Sequence, residues 1–118
     1  MAADVDSFRV EMPKRLDQWR ERLASNHKRG LRTAIWGSGS KAVSFLTTLG
    51  IGEEVGYVTD INPYRHNMYM PGTGHKIVPP AELQDYKPDV VIIMNPVYVD
   101  EINADLKKMG LSPELIAV

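Results

Sequence analysis

A short apolar run that leads directly into a glycine-rich turn constrains the fold of this chain more than any other feature. Residues 33–36 read Thr-Ala-Ile-Trp, and residues 37–42 read Gly-Ser-Gly-Ser-Lys-Ala. Apolar residues then recur at helical spacing as far as Leu49, and a second strand-like run covers residues 55–59. A strand, a tight turn, a helix and a strand within about 30 residues predict a βαβ unit with parallel strands and a right-handed crossover.

The remaining segments extend this pattern on both sides. An amphipathic helix is predicted from about residue 7 to residue 29, because apolar residues recur there at helical spacing: Phe8, Met12, Leu16, Trp19 and Leu23. Further strands are predicted at residues 76–78, 89–94 and 115–118, with a brief helix after Pro79 and a longer helix over residues 97–109. We therefore predict a single α/β domain over residues 1–118, a Rossmann-like, doubly wound fold with a mainly parallel sheet and a leading amphipathic helix.

Composition excludes several classes of function. The chain has no cysteine, which removes disulfide frameworks, thiolate zinc sites and cysteine nucleophiles. Its 14 Lys and Arg residues are balanced by 15 Asp and Glu residues, so its charge gives no general argument for binding nucleic acid. No apolar run approaches the roughly 20 residues that a membrane span needs. We expect a soluble, cytoplasmic protein that binds neither nucleic acid nor membranes.

The glycine turn matches the pattern that dinucleotide-binding folds use to hold phosphates. Gly37 permits the sharp turn, Gly39 permits close approach of the backbone to a phosphate, and the small Ala42 permits packing of the helix on the strand. Ser38 to Lys41 would present amide groups at the start of a helix, where the dipole favours an anion. Asp60, at the end of the second predicted strand, is placed to accept hydrogen bonds from ribose hydroxyls. The alternative is a structural turn, with Asp60 forming the turn before Asn62.

A second group of candidates follows the buried strand at residues 89–94. In an open parallel sheet, ligands bind at the carboxyl ends of the strands where the strand order reverses. Asn95 would then bond a ligand and Tyr98 would stack on it or donate to it; alternatively, Asn95 starts a helix and Tyr98 packs. The spacing of the histidines predicts no metal site, and no catalytic residue is predicted. The predicted ligand-binding residues are Gly37, Ser38, Gly39, Ser40, Lys41, Asp60, Asn62, Asn95 and Tyr98.

Five short blocks in the same order resemble the C-terminal domain of S-adenosylmethionine-dependent sugar C-methyltransferases. They lie at residues 36–42, 58–63, 69–73, 78–80 and 89–95. The resemblance covers nearly the whole chain. It implies a Rossmann-like unit that follows a catalytic methyltransferase domain and helps to hold a deoxythymidine-diphosphate sugar. It also implies that the chain is the C-terminal fragment of a longer enzyme.

This resemblance sets the leading functional hypothesis and leaves two alternatives. The leading one is an accessory domain that binds a nucleotide sugar or a related small molecule, packs against the methyltransferase domain and catalyses nothing alone. It would bind no cofactor itself, because S-adenosylmethionine belongs to the catalytic domain. One alternative is a stand-alone NAD-binding or nucleotide-sugar-binding module of an oxidoreductase or acyltransferase system. The other is a structural or oligomerisation domain. A second copy of the chain, in a homodimer, is a further candidate partner under each hypothesis.

Overall fold

A computed structural model describes residues 16–118, which contain four α-helices around a five-stranded sheet. The strands are β1 (Thr33–Trp36), β2 (Tyr57–Thr59), β3 (Ile77–Val78), β4 (Val90–Ile93) and β5 (Glu114–Ala117). The helices are α1 (Leu16–Lys28), α2 (Ser40–Leu49), α3 (Leu83–Tyr86) and α4 (Val99–Lys108). Short 3₁₀ turns cover Pro63–Arg65, Pro80–Glu82 and Pro96–Tyr98. The predicted start of the leading helix, with Phe8 and Met12, lies outside the described residues.

The strand order is β3-β2-β1-β4-β5, and every neighbouring pair is parallel. From β1 the chain first builds outward through β2 to β3, and then crosses to β4 on the other side of β1. The order therefore reverses between β1 and β4, where Ile35 pairs with Ile92. This arrangement confirms the predicted Rossmann-like α/β fold, and it makes the carboxyl ends of β1 and β4 the switch point of the sheet.

Both faces of the sheet are covered, which explains the continuous apolar character of the central strands. Side chains alternate along a strand, so Ile35 and Ile92 pack on one face while Ala34 and Val91 pack on the other. Helices α1 and α2 cover the first face, where the rings of Trp19 and Phe45 meet edge to face at 5.1 Å. Helices α3 and α4 cover the second face through Leu83, Ile102 and Leu106. No helix in the described part of the chain is long and apolar enough to cross a membrane.

Gly56→Ala is expected to lower the free energy of unfolding by about 1–3 kcal/mol, the usual cost of overpacking. A Cβ on Gly56 would overlap the Tyr86 hydroxyl, which donates to the Thr33 carbonyl at 3.2 Å. Tyr86 would have to move, which breaks this bond and disturbs its edge-to-face contact with Tyr57. Urea denaturation measures the effect. Gly52→Ala is the matched control, because the nearest atom to its added Cβ lies 3.9 Å away; equal losses in the two variants would contradict the prediction.

Candidate functional site

A cavity of about 560 Å³ opens at the switch point of the sheet. One wall is the turn from β1 into α2, residues 36–42. The opposite wall is formed by residues 93–95, Tyr98 and one face of α4, and residues 60–61 close one side. A cavity at the carboxyl ends of the strands, between the two halves of a doubly wound sheet, is where such folds bind ligands.

Gly37 allows the chain to leave β1 and turn into the cavity wall. Its φ is +117°, a conformation that L side chains rarely adopt, and an added Cβ would lie 3.1 Å from the Met94 Cβ. Backbone hydrogen bonds hold the turn to both neighbouring strands: Gly37 donates to the Thr59 carbonyl at 2.8 Å, and Met94 donates to the Trp36 carbonyl at 3.1 Å. Hydrogen bonds within the protein are therefore sufficient to hold the conformation of the turn.

The first turn of α2 offers amide groups that the described part of the chain leaves unbonded. Gly39 is the N-cap residue and supplies no side-chain cap, and the first helical bond runs from Val43 to the Gly39 carbonyl at 3.1 Å. No described group accepts from the amides of Ser40, Lys41 and Ala42, and the first turn holds no acidic residue. These amides and the positive end of the helix dipole can bind an anion at this wall of the cavity.

The Asp60 carboxylate is bonded to the glycine turn. Its Oδ2 accepts from the Ser38 amide at 2.9 Å and from the Ser38 hydroxyl at 2.5 Å, while its Oδ1 accepts from the Asn62 amide at 2.9 Å. Partial burial acts to raise the pKa of Asp60, but the bonds from Ser38 and Asn62, together with the Arg65 cation, outweigh it and hold the pKa below its ordinary value. Asp60 is therefore an ionised group that braces the turn.

Arg65 and His66 support the same turn, and the sequence analysis did not identify this role for either residue. The Arg65 guanidinium donates to the Ser38 carbonyl at 3.1 Å. The His66 Nε2 lies 2.6 Å from the Asp60 carbonyl oxygen. Both belong to the segment after β2, which a 3₁₀ turn folds back toward the glycine turn. Their contacts depend on this fold-back, which no local sequence pattern indicates.

The α4 wall of the cavity combines apolar and acidic side chains. Ile102 lies there beside Glu101 and Asp105, and Met94 adds apolar surface from the end of β4. Glu101 and Asp105 were not among the residues predicted from the sequence to bind a ligand. The sequence feature that could have identified them is the spacing of Tyr98, Glu101 and Asp105, which places the three residues on one side of a helix. The cavity thus joins a wall with unbonded amides to a wall with hydrogen-bond acceptors.

Eight of the nine predicted ligand-binding residues line this cavity: Gly37, Ser38, Gly39, Ser40, Lys41, Asp60, Asn95 and Tyr98. The ninth, Asn62, lies outside its lining and uses its side-chain oxygen to accept from the Tyr64 amide at 3.0 Å. Lys41 donates through Nζ to the Val118 carbonyl at 2.9 Å, and Asn95 accepts from the Val97 amide at 3.1 Å. Whether these residues contact a ligand stays a prediction. Within residues 16–118, no group of three or more His, Asp or Glu side chains is arranged to hold a metal ion.

Several solved structures share this fold. UDP-D-quinovosamine 4-dehydrogenase from Vibrio fischeri matches with a TM-score of 0.58 and 20% identity over 75% of this chain and 77% of that one. RSP, a Rex-family repressor, matches with a TM-score of 0.52 and 16% identity over 83% of this chain and 60% of the repressor. Its complex with β-NADH matches with a TM-score of 0.50 and 19% identity over 83% of this chain and 61% of that one. At these identities the likeness shows the fold alone.

The sequence comparisons point to one family. No curated protein matches the chain. The model of the C-methyltransferase C-terminal domain matches residues 2–112, nearly the whole sequence. The matched region includes both sides of the cavity, from the glycine turn to α4. The chain therefore belongs to the C-methyltransferase C-terminal domain family.

Proposed function

We propose that this domain binds the nucleoside-diphosphate part of a nucleotide-sugar substrate for an S-adenosylmethionine-dependent C-methyltransferase. It holds the substrate for a catalytic domain that supplies S-adenosylmethionine, and it performs no chemistry alone. The observation that carries the proposal is the unbonded first turn of α2, which faces a cavity at the switch point.

The two walls of the cavity suit the two parts of such a ligand. The diphosphate binds the amides of Ser40, Lys41 and Ala42, where a helix start contributes roughly half a positive charge. The hydroxyls of the transferred sugar donate to acceptors on the α4 wall, where Glu101 and Asp105 lie. Tyr98, at the mouth of the cavity and half exposed, offers a ring face to the base. The helix start favours the anionic part of such a molecule, and the acceptors on α4 favour its hydroxyl-rich part.

Titration with matched ligands tests the proposal. Thymidine 5′-diphosphate and its glucose conjugate are expected to shift the amide NMR resonances of residues 39–42, because these amides receive the phosphate oxygens. S-Adenosylmethionine, which has no phosphate, serves as the control ligand and is expected to leave the same resonances unchanged. NAD tests the alternative of a nicotinamide-binding module. Resonances that move with NAD alone, or with no nucleotide, would overturn the proposal.

Ser40→Asp is expected to weaken diphosphate binding by at least about tenfold while stabilising the protein. Ser40 is exposed in the first turn of α2, where a carboxylate interacts favourably with the helix dipole, by about 0.3–1 kcal/mol. The same carboxylate repels the phosphates. Calorimetric titration measures the affinity, and thermal unfolding measures the stability.

The neutral variant Ser40→Asn separates charge from shape. It has nearly the size of Asp and no charge, so it is expected to bind the diphosphate within about threefold of the wild-type affinity. Because Ser40→Asp raises stability, its loss of affinity cannot come from unfolding. Equal affinities for the Asp and Asn variants would show that phosphate does not bind at this helix start.

A further inference from the structure

Asp60 has little acceptor capacity left for a ligand. An ionised carboxylate offers about four acceptor positions, and the bonds from the Ser38 amide, the Ser38 hydroxyl and the Asn62 amide take three of them. Both donors from Ser38 fall on Oδ2, which leaves one position on Oδ1. A carboxylate at the end of the second strand of a dinucleotide-binding fold normally accepts from the ribose 2′-hydroxyl. Here, donors from the protein itself already occupy three of the acceptor positions of that carboxylate.

Both hydroxyls of a ribose could bond to Asp60 only if Ser38 were displaced from Oδ2. Ser38 is 2% exposed, so a displaced hydroxyl would remain buried without its acceptor, which offsets any gain from the ribose. The Arg65 guanidinium also bonds to the Ser38 carbonyl and holds the residue in place. The bonded arrangement of Ser38 and Asp60 therefore competes directly with recognition of a ribose diol.

We propose that Ser38 is a specificity-determining residue that makes the site indifferent to the 2′-hydroxyl of the nucleotide. By occupying both acceptor positions on Oδ2 of Asp60, Ser38 leaves the carboxylate one position on Oδ1, which the 3′-hydroxyl of either nucleotide can use. The 2′-hydroxyl then finds no acceptor on Asp60, so ribonucleoside and 2′-deoxyribonucleoside diphosphates bind equally well. This inference rests on the proposed function, since it concerns the sugar of the same nucleotide. Asp60 then acts mainly as a positioning residue, because its bonds to Ser38 hold the glycine turn.

Two ligands that differ by one hydroxyl test the inference in the unchanged protein. Thymidine 5′-diphosphate and 5-methyluridine 5′-diphosphate carry the same base and differ only at the 2′ position. Their dissociation constants, measured by calorimetry, are expected to agree within about threefold. A larger preference for either ligand would overturn the inference while leaving the proposed function intact. Failure of both ligands to bind would instead remove the proposed function, and the inference with it.

Ser38→Ala provides a gain-of-function test with its own controls. The variant keeps the Ser38 amide bond but frees one acceptor position on Oδ2, so the 5-methyluridine ligand is expected to gain at least about fivefold over the deoxy ligand. Ser38→Thr retains the hydroxyl and should keep the ratio near one. Adding Asp60→Ala to Ser38→Ala removes the acceptor and should abolish the new preference. An unchanged ratio in a folded Ser38→Ala protein would contradict the role assigned to Ser38.

Discussion

Gly37→Ala is expected to lower the free energy of unfolding by about 2–4 kcal/mol, combining backbone strain with overpacking. The residue has a φ of +117°, and the added methyl group would lie 3.1 Å from the Cβ and 3.4 Å from the Cγ of Met94. Relief of either contact moves β1 relative to β4, where Trp36 pairs with Ile93. Urea denaturation followed by circular dichroism measures the loss, which should be accompanied by loss of nucleotide binding.

Gly39→Ala is the matched control for this prediction. Gly39 has a φ of −80°, and among residues 16–118 no atom beyond its chain neighbours lies within 4 Å of its added Cβ. The reduced entropy of the unfolded chain and the poorer capping by alanine oppose one another, so the change in stability is expected to stay within about 1 kcal/mol. Similar losses for the two variants would show that the Gly37 conformation and its contact with Met94 do not set the cost.

Asp60→Ala is expected to cost about 2–3 kcal/mol at neutral pH, because it leaves three donors without their acceptor. The Ser38 amide and hydroxyl and the Asn62 amide all bond to the carboxylate. Ser38 is buried, so its hydroxyl would lose this acceptor in a largely desolvated position. Urea denaturation measures the loss, and Asp60→Asn is expected to lose less because its carbonyl oxygen still accepts.

The same carboxylate gives the protein an acid-sensitive contribution to stability. The pKa of Asp60 in the folded protein lies below the ordinary value of 3.8, so the folded state holds the proton less tightly than the unfolded state does. Its stabilisation is complete above about pH 5 and is lost as the pH falls through the lowered pKa. The difference in stability between wild type and Asp60→Ala is therefore expected to shrink in acid. A difference that stays constant from about pH 6 to pH 3 would contradict this prediction.

Glu54→Gln is the control for this acid dependence. Hydrogen bonds from its own amide and from the Gly52 amide hold the pKa of Glu54 below its ordinary value, so this carboxyl also stabilises the protein less in acid. Glu54 lies outside the cavity lining. Its substitution should change the pH dependence of stability and leave nucleotide affinity unchanged, whereas Asp60→Ala should change both.

The sequence predicted the fold well because its strongest signals are local. The apolar run at residues 33–36, the glycine turn after it and the β-branched run at residues 90–93 correspond to β1, its connection to α2, and β4. Parallel pairing and the switch point follow from general rules of chain connection. Met70 was harder to place, because it lies in a polar loop and is buried by the antiparallel bridge between Tyr69 and Lys76.

The site could be predicted only to the level of which segments meet. Asp60 was predicted at the end of the second strand and lines the cavity there, but its hydrogen-bond partners depend on the path of the turn at Ser38. Glu101 and Asp105 reach the cavity only because the crossover from β4 places α4 beside the glycine turn. Hydrogen-bond partners and helix placement are tertiary properties, and a pattern of residue types along the chain does not encode them locally.

The strand order has a consequence for when the binding site comes into existence. Residues 36–42 and 93–105 face one another only after β4 pairs with β1, and that pairing joins parts of the chain far apart in sequence. A partly folded chain in which only β1, α2 and β2 had formed would present a single side of the cavity. Under the proposed function, a nucleotide that contacts both sides would bind only the completed sheet and would stabilise it by mass action. Substrate would in this way protect the docking of the two halves against local opening and proteolysis.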